Sequence, residues 1–176
     1  MNSTPQTPLL ELDDIKGRPC SVAGALAIIG DRWSLLAVRE VMFGNHRFSE
    51  IARNTGAPRD RLAARLKELT EAGVLERRQY QANPPRSGYH LTESGKALGP
   101  VLQALRQWGD DFVVADPPMT LLHKGHDVHG PWRCGTCGEA VHGRDLRRIS
   151  NVADWDLTGP VSAGPVSAGP VSAGPV

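Results

Sequence analysis

Two groups of residues in this 176-residue chain carry side chains that could do chemistry. The first is a run of nitrogen and sulfur donors: His123, His126, His129, Cys134, Cys137 and His142. Zinc takes four such donors in a tetrahedron. The turn from Cys134 to Gly138 suits two of them, because a CxxCG loop brings both sulfurs to one ion and Gly138 permits the tight bend. His123 and His126 are the simplest second pair, giving H-x2-H-x7-C-x2-C, with His129 and His142 as alternatives. Such an ion would be structural, folding a segment that cannot make its own core. A catalytic zinc needs an open position and a general base in a cleft, which this segment is too small to build. A redox CxxC would need a strand–helix setting that is missing here; a decayed metal site is the other alternative.

The second group is cationic. Formal net charge is only +1, but from Gly44 to His90 nine basic residues stand against five acidic ones. A local excess of this kind matters more than the total for an electrostatic footprint. At its centre is RDRLAARLKEL, residues 59–69. Laid on a helix, Leu62, Leu66 and Leu69 form one buried stripe. Arg59, Asp60, Arg61, Ala63, Ala64 and Arg65 lie outside it. A helix entering a major groove about 12 Å wide gains from small residues, and Ala63 and Ala64 permit close approach. Arg59 and Arg61 stand at the N-terminal end, which usually meets base edges. Arg65 is better placed for phosphates, which hold register but specify little. A solvated helix packed under a hairpin would show the same stripe, so a protein-interaction module without DNA binding is the rival reading.

The elements that must position these residues follow from the pattern. Helices are expected over Ser21 to about Ile29, Arg32 to about Phe43, a short third one ending at Gly56, and the arginine-bearing one closed by Gly73. Pro58 sits where a first helical turn tolerates it. VLERRQY and YHLT read as two strands joined by the turn QANPPRSG. The wing residues Arg77, Arg78 and Arg86 could reach an adjacent minor groove or the backbone. Thr92 would cap a last helix with Leu98, Val101, Leu102, Leu105, Trp108 and Phe112 on one face. That stripe is long for a helix covering one small domain.

Helix, short turn, helix, hairpin is the order of a winged helix-turn-helix. The stretch from Cys20 to Ile51, with Cys20, Gly30, Arg32, Trp33, Gly44, Arg47, Phe48 and Glu50, resembles the opening of the HxlR-type bacterial transcription regulators, relatives of the MarR winged-helix group. The likeness continues through LAARLKELTEAGVLERR, PPRSGYHLTESG and Trp108–Gly109, covering about 20–112. It implies a homodimer whose first and last helices form the interface, with two recognition helices reading an inverted repeat in double-stranded DNA. Arg47 and Ser49 then join the DNA-facing set. Pro58, Asp60 and Ala63 depart from residues common in the family, so the target sequence does not carry over. Some relatives use the residue matching Cys20 to sense quinones, electrophiles or oxidants, and some carry a similar His/Cys tail in which His126 would replace a Cys. Thiolates are favoured at helix N-termini and beside cations, and Arg18 is two residues from Cys20. A small buried residue at a dimer seam is the plainer reading of that Cys.

Together these readings give a mainly α fold with a small β-hairpin, a winged helix-turn-helix followed by a small His/Cys zinc-binding-like segment and a disordered tail. Expected boundaries are a flexible 1–17, a DNA-binding and dimerisation domain over 18–115, the His/Cys segment over 120–150, and a GPVSA-repeat tail over 151–176. Three cysteines, two of them in one CxxC, point away from a disulfide scaffold and toward a reducing cytoplasm. No stretch approaches the roughly 18 apolar residues of a membrane span, and the N-terminus lacks a signal-peptide pattern. There is no nucleophile–base pairing and no Gly-rich phosphate loop. The expectation is a dimeric repressor answering a small molecule or oxidant, and no enzyme.

Overall fold

The computed structural model describes residues 20–119, 122–123, 126–127, 132–133 and 136–141. The expected flexible N-terminus and GPVSA tail lie outside these, as do His129, Cys134 and His142. The chain divides into two compact units, Met1–Trp108 and Gly109–Val176.

In the first unit α1 (Ser21–Ile29) is wholly apolar or small and buries only Ile29 fully. It turns directly into α2 (Arg32–Met42) through Gly30 and Asp31. A Cβ at Gly30 would stand 2.4 Å from the Leu26 carbonyl oxygen, so no larger residue fits that corner. Asp31 caps α2 by accepting the Trp33 N–H at 2.8 Å. α2 buries Ser34, Ala37, Val38, Glu40 and Val41 at helical spacing and is the central element, packed against α3 (Phe48–Thr55), α4 (Arg59–Glu71) and the hairpin. Gly44, Gly56 and Gly73 all have positive φ and stop the helices before them. Leu62, Leu66 and Leu69 of α4 are completely buried, together with Val38 and Ile51. Removing each leucine from water stabilises the fold by about 2 kcal/mol.

The wing pairs β1 (Leu75–Gln81) antiparallel with β2 (Arg86–Leu91), from Leu75↔Leu91 out to Gln81↔Arg86. The second strand begins earlier than YHLT suggested, because Arg86, Ser87 and Gly88 join the ladder rather than the turn. Thr92 does act as a cap, its hydroxyl accepting the Gly95 N–H, but of a separate short helix α5 (Glu93–Lys96). The expected single long helix is therefore two, α5 and α6 (Gly99–Phe112). Thr92 Oγ1 also donates to the Gly73 carbonyl at 2.6 Å, fastening α5 to the start of the wing. Leu98 and Leu102 reach the core, whereas no residue of α6 is fully buried. Val101 and Leu105 are exposed, as are Val22 and Leu26 of α1.

In the second unit β3 (Leu122–His123) pairs with β4 (His126–Asp127), and β5 (Trp132–Arg133) with β6 (Ala140–Val141). Among the described residues no single helix is long and apolar enough to cross a membrane.

Candidate nucleic-acid interface

The helix-turn-helix is α3, the turn Gly56–Pro58, and α4. Gly56 takes φ +68°, and buried Ala57 plugs the turn into the core. Pro58 is extended and forms the N-cap, one position ahead of the first turn. With Leu62, Leu66 and Leu69 inward, the rest of α4 is forced outward: Arg59, Asp60, Arg61, Ala63, Ala64 and Lys67 are exposed. Asp60 has a local reason to be there, since a carboxylate in a first turn complements the helix dipole.

The arginines divide into two kinds. Arg65 is half-buried and donates to Glu68, one turn on. Arg78 of the wing donates to Glu76. Both charges expected for phosphates are thus compensated within their own elements. Among the described residues Arg59, Arg61, Arg77 and Arg86 form no ion pair. Arg59 lies over the Phe48 ring with Cζ 5.0 Å from its centroid, and Arg77 over Tyr89 at 5.9 Å. Arg47, the N-cap of α3, lies over Tyr80 of the wing at 5.2 Å. Ser49 follows on the exposed side of α3.

Two polar clusters hold this surface in place, and the sequence analysis singled out neither. Glu40 is 4% exposed, yet its carboxylate accepts from Arg39 Nη2 at 2.8 Å, Asn45 Nδ2 at 2.8 Å and Asn54 Nδ2 at 2.9 Å. It ties α2 to the loop before α3 and to the end of α3. Burial by itself would raise its carboxyl, but the bonds from Asn54, Arg39 and Asn45 prevail and hold it below the ordinary carboxylate range. A carboxylate among Ala37, Val38 and Val41 on a core-facing stripe was the available signal. The second cluster joins the α2–α3 loop to the wing. His46 and His90 stack with centroids 4.1 Å apart, His46 Nδ1 meets the Tyr89 carbonyl at 2.9 Å, and the Tyr89 N–H donates to the His46 carbonyl at 2.8 Å. Burial, His46 and Arg78 push His90 below its ordinary value, with Glu76 opposing.

Cys20 is the half-buried N-cap of α1. Of the expected metal ligands, His123 and His126 are backbone register partners in the β3–β4 pair, and Cys137 is exposed beside Gly138 at φ +74°. Cys134 lies outside the described residues, and among those described no three potential ligands converge.

Comparison with known proteins agrees with the fold. Residues 28–117 match the family described as HxlR-like helix-turn-helix. An uncharacterised HTH-type transcriptional regulator of Mycobacterium tuberculosis is 41% identical over 130 residues, which is 72% of this chain and 82% of that protein. YdeP, an uncharacterised HTH-type transcriptional regulator of Bacillus subtilis, is 35% identical over 116 residues, 65% of this chain and 89% of its own. The crystal structure of PA1607, described as a candidate transcription factor, superposes with a TM-score of 0.67 at 36% identity, covering 74% of this chain and 94% of that one. A second such factor, PA1374 of Pseudomonas aeruginosa, gives 0.56 at 28% identity over 78% and 96% of the two chains. With a winged helix-turn-helix whose second helix turns its arginines outward, the chain belongs to the HxlR-like helix-turn-helix family, a transcription regulator and not an enzyme.

Proposed function

We propose that the protein is a dimeric repressor that binds an inverted repeat in duplex DNA, with α4 of each chain in a major groove. One observation carries this reading: Arg59 and Arg61 at the start of α4 are exposed and without acidic partners among the described residues, beside the small exposed Ala63 and Ala64. Arg61 and Arg59 then meet base edges, while Arg47, Arg77 and Arg86 meet phosphates. Selection of bound duplexes from a random pool should return a palindromic site. Arg61→Ala should lower the ratio of affinity for that site over random DNA by about tenfold; equal loss on both would make Arg61 a phosphate contact instead. A partner helix face explains why Val22, Leu26, Val101 and Leu105 are apolar and exposed.

The same reading gives the protein an effector that shifts the spacing of the two α4 helices. Cys20, at the head of α1, is the residue through which an oxidant or electrophile would act. A Cys20→Ser protein that still released DNA fully on oxidation would remove that role. For the second unit we propose a structural zinc held by His123, His126, Cys134 and Cys137, two nitrogen and two sulfur donors suited to that ion. Elemental analysis should find close to one zinc per chain, and a metal-free protein would end the assignment.

A further inference from the structure

We propose that Tyr80 is a positioning residue for DNA binding: its ring is a seat that holds the Arg47 guanidinium out toward the phosphate backbone. The inference rests on the DNA-binding reading above. The hairpin register runs evenly from Leu75↔Leu91 to Gln79↔Ser87 and then slips, so that Gln81 faces Arg86 and Tyr80 is the extra residue. An inserted residue of this kind leaves the ladder, bends the strand and re-aims its side chain. Tyr80 stays 48% exposed, and its ring lies beneath the Arg47 guanidinium at 5.2 Å.

Arg47 has a competing neighbour. Glu50 accepts the Arg47 backbone N–H at 3.0 Å, and its other oxygen is 3.9 Å from Arg47 Nε. That is a long, exposed ion pair, whereas Glu68 and Glu76 lie in hydrogen-bond contact with Arg65 and Arg78 and compensate their charges directly. A ring face attracts a cation without cancelling its charge, so the Tyr80 seat keeps Arg47 both ordered and available. The contact also spans two elements, because Arg47 opens α3 while Tyr80 belongs to the wing. Phe48 and Arg59 repeat the device between α3 and α4 at 5.0 Å. The first two residues after the α2–α3 loop therefore engage the wing on one side and the recognition helix on the other.

The test uses the full chain and a fluorescently labelled duplex of random sequence, titrated across salt concentrations so that phosphate contact is read. Tyr80→Ala and Arg47→Ala should each weaken binding about threefold to fivefold and lower the salt slope by about one counterion per chain. In an Arg47→Ala background Tyr80→Ala should add nothing. Tyr80→Phe, which keeps the ring, should match the wild type. Should Tyr80→Ala melt within the assay range, Tyr80→Leu replaces it with the same expected losses. Additive losses in the double variant would overturn the seat, as would a Tyr80→Phe protein that binds as poorly as Tyr80→Ala. A wild-type chain that binds no duplex at any salt would overturn the DNA-binding reading itself, and this one with it.

Discussion

Glu40 shares its face of α2 with Ala37, Val38 and Val41, and it is tolerated there because three side chains bring donors to it. Glu40→Ala removes all three bonds but leaves Arg39 and Asn54 open to water, so it should cost about 1 to 2 kcal/mol in urea denaturation at neutral pH, and Glu40→Gln, which keeps one acceptor, should cost less. Because its folded carboxyl lies below the ordinary range, the stabilisation from Glu40 is complete above that range and is lost as pH falls through the lowered value. Ser34 makes the opposite case nearly two turns earlier. Its hydroxyl is buried and has no hydrogen-bond partner among the described residues. Ser34→Ala should leave stability unchanged or raise it by about 1 kcal/mol, read in the same titration. A stripe of apolar residues can be read from sequence, whereas the partners of Glu40 cannot. Asn45 and Asn54 meet it only after α3 has folded back onto α2.

At the level of elements, the helix boundaries were legible because capping and stopping are local. Asp31, Gly56 and Gly73 act within a turn of their own positions. The Thr92 contact back to Gly73 was not legible, because the two lie far apart in the chain, whereas the break between α5 and α6 falls just ahead of Gly99–Pro100, a local breaker the sequence does show. The His46–His90 stack is likewise a contact between elements far apart in the chain, and it sets the wing against the loop that leads into α3. Its pH dependence has a definite sign. The folded value of His90 lies below the 6.5 of an ordinary histidine. The unfolded chain then binds the proton first, so stability is full above that value and declines as pH falls toward the folded one. A His90→Gln protein, neutral throughout, should show a shallower loss between about pH 7 and pH 5 in urea midpoints; an unchanged slope would assign the acid sensitivity elsewhere.

For the molecule as a whole, the informative feature is what the first unit fails to cover. α1 fully buries one of its nine residues and α6 fully buries none. A solitary chain would expose Val22, Leu26, Val101 and Leu105 to water, and burying each against a second copy is worth about 2 kcal/mol. Leu26→Glu or Leu105→Glu should convert the proposed dimer to monomer in analytical ultracentrifugation and weaken binding to a palindromic duplex by far more than Arg61→Ala does. A variant that stays dimeric would move the interface elsewhere. The sequence by itself determined the order of elements, the inward leucines of α4 and the outward set around Arg59 and Arg61, because periodicity, capping and turn chemistry act over a few residues. Only the tertiary structure decided which arginines remain uncompensated. It also decided that Tyr80 bulges toward Arg47 and that Glu40 and His90 brace the surface. Ring seats, buried carboxylate partners and strand register depend on residues distant in the chain being brought within a few ångströms, and that is fixed by packing rather than by local pattern.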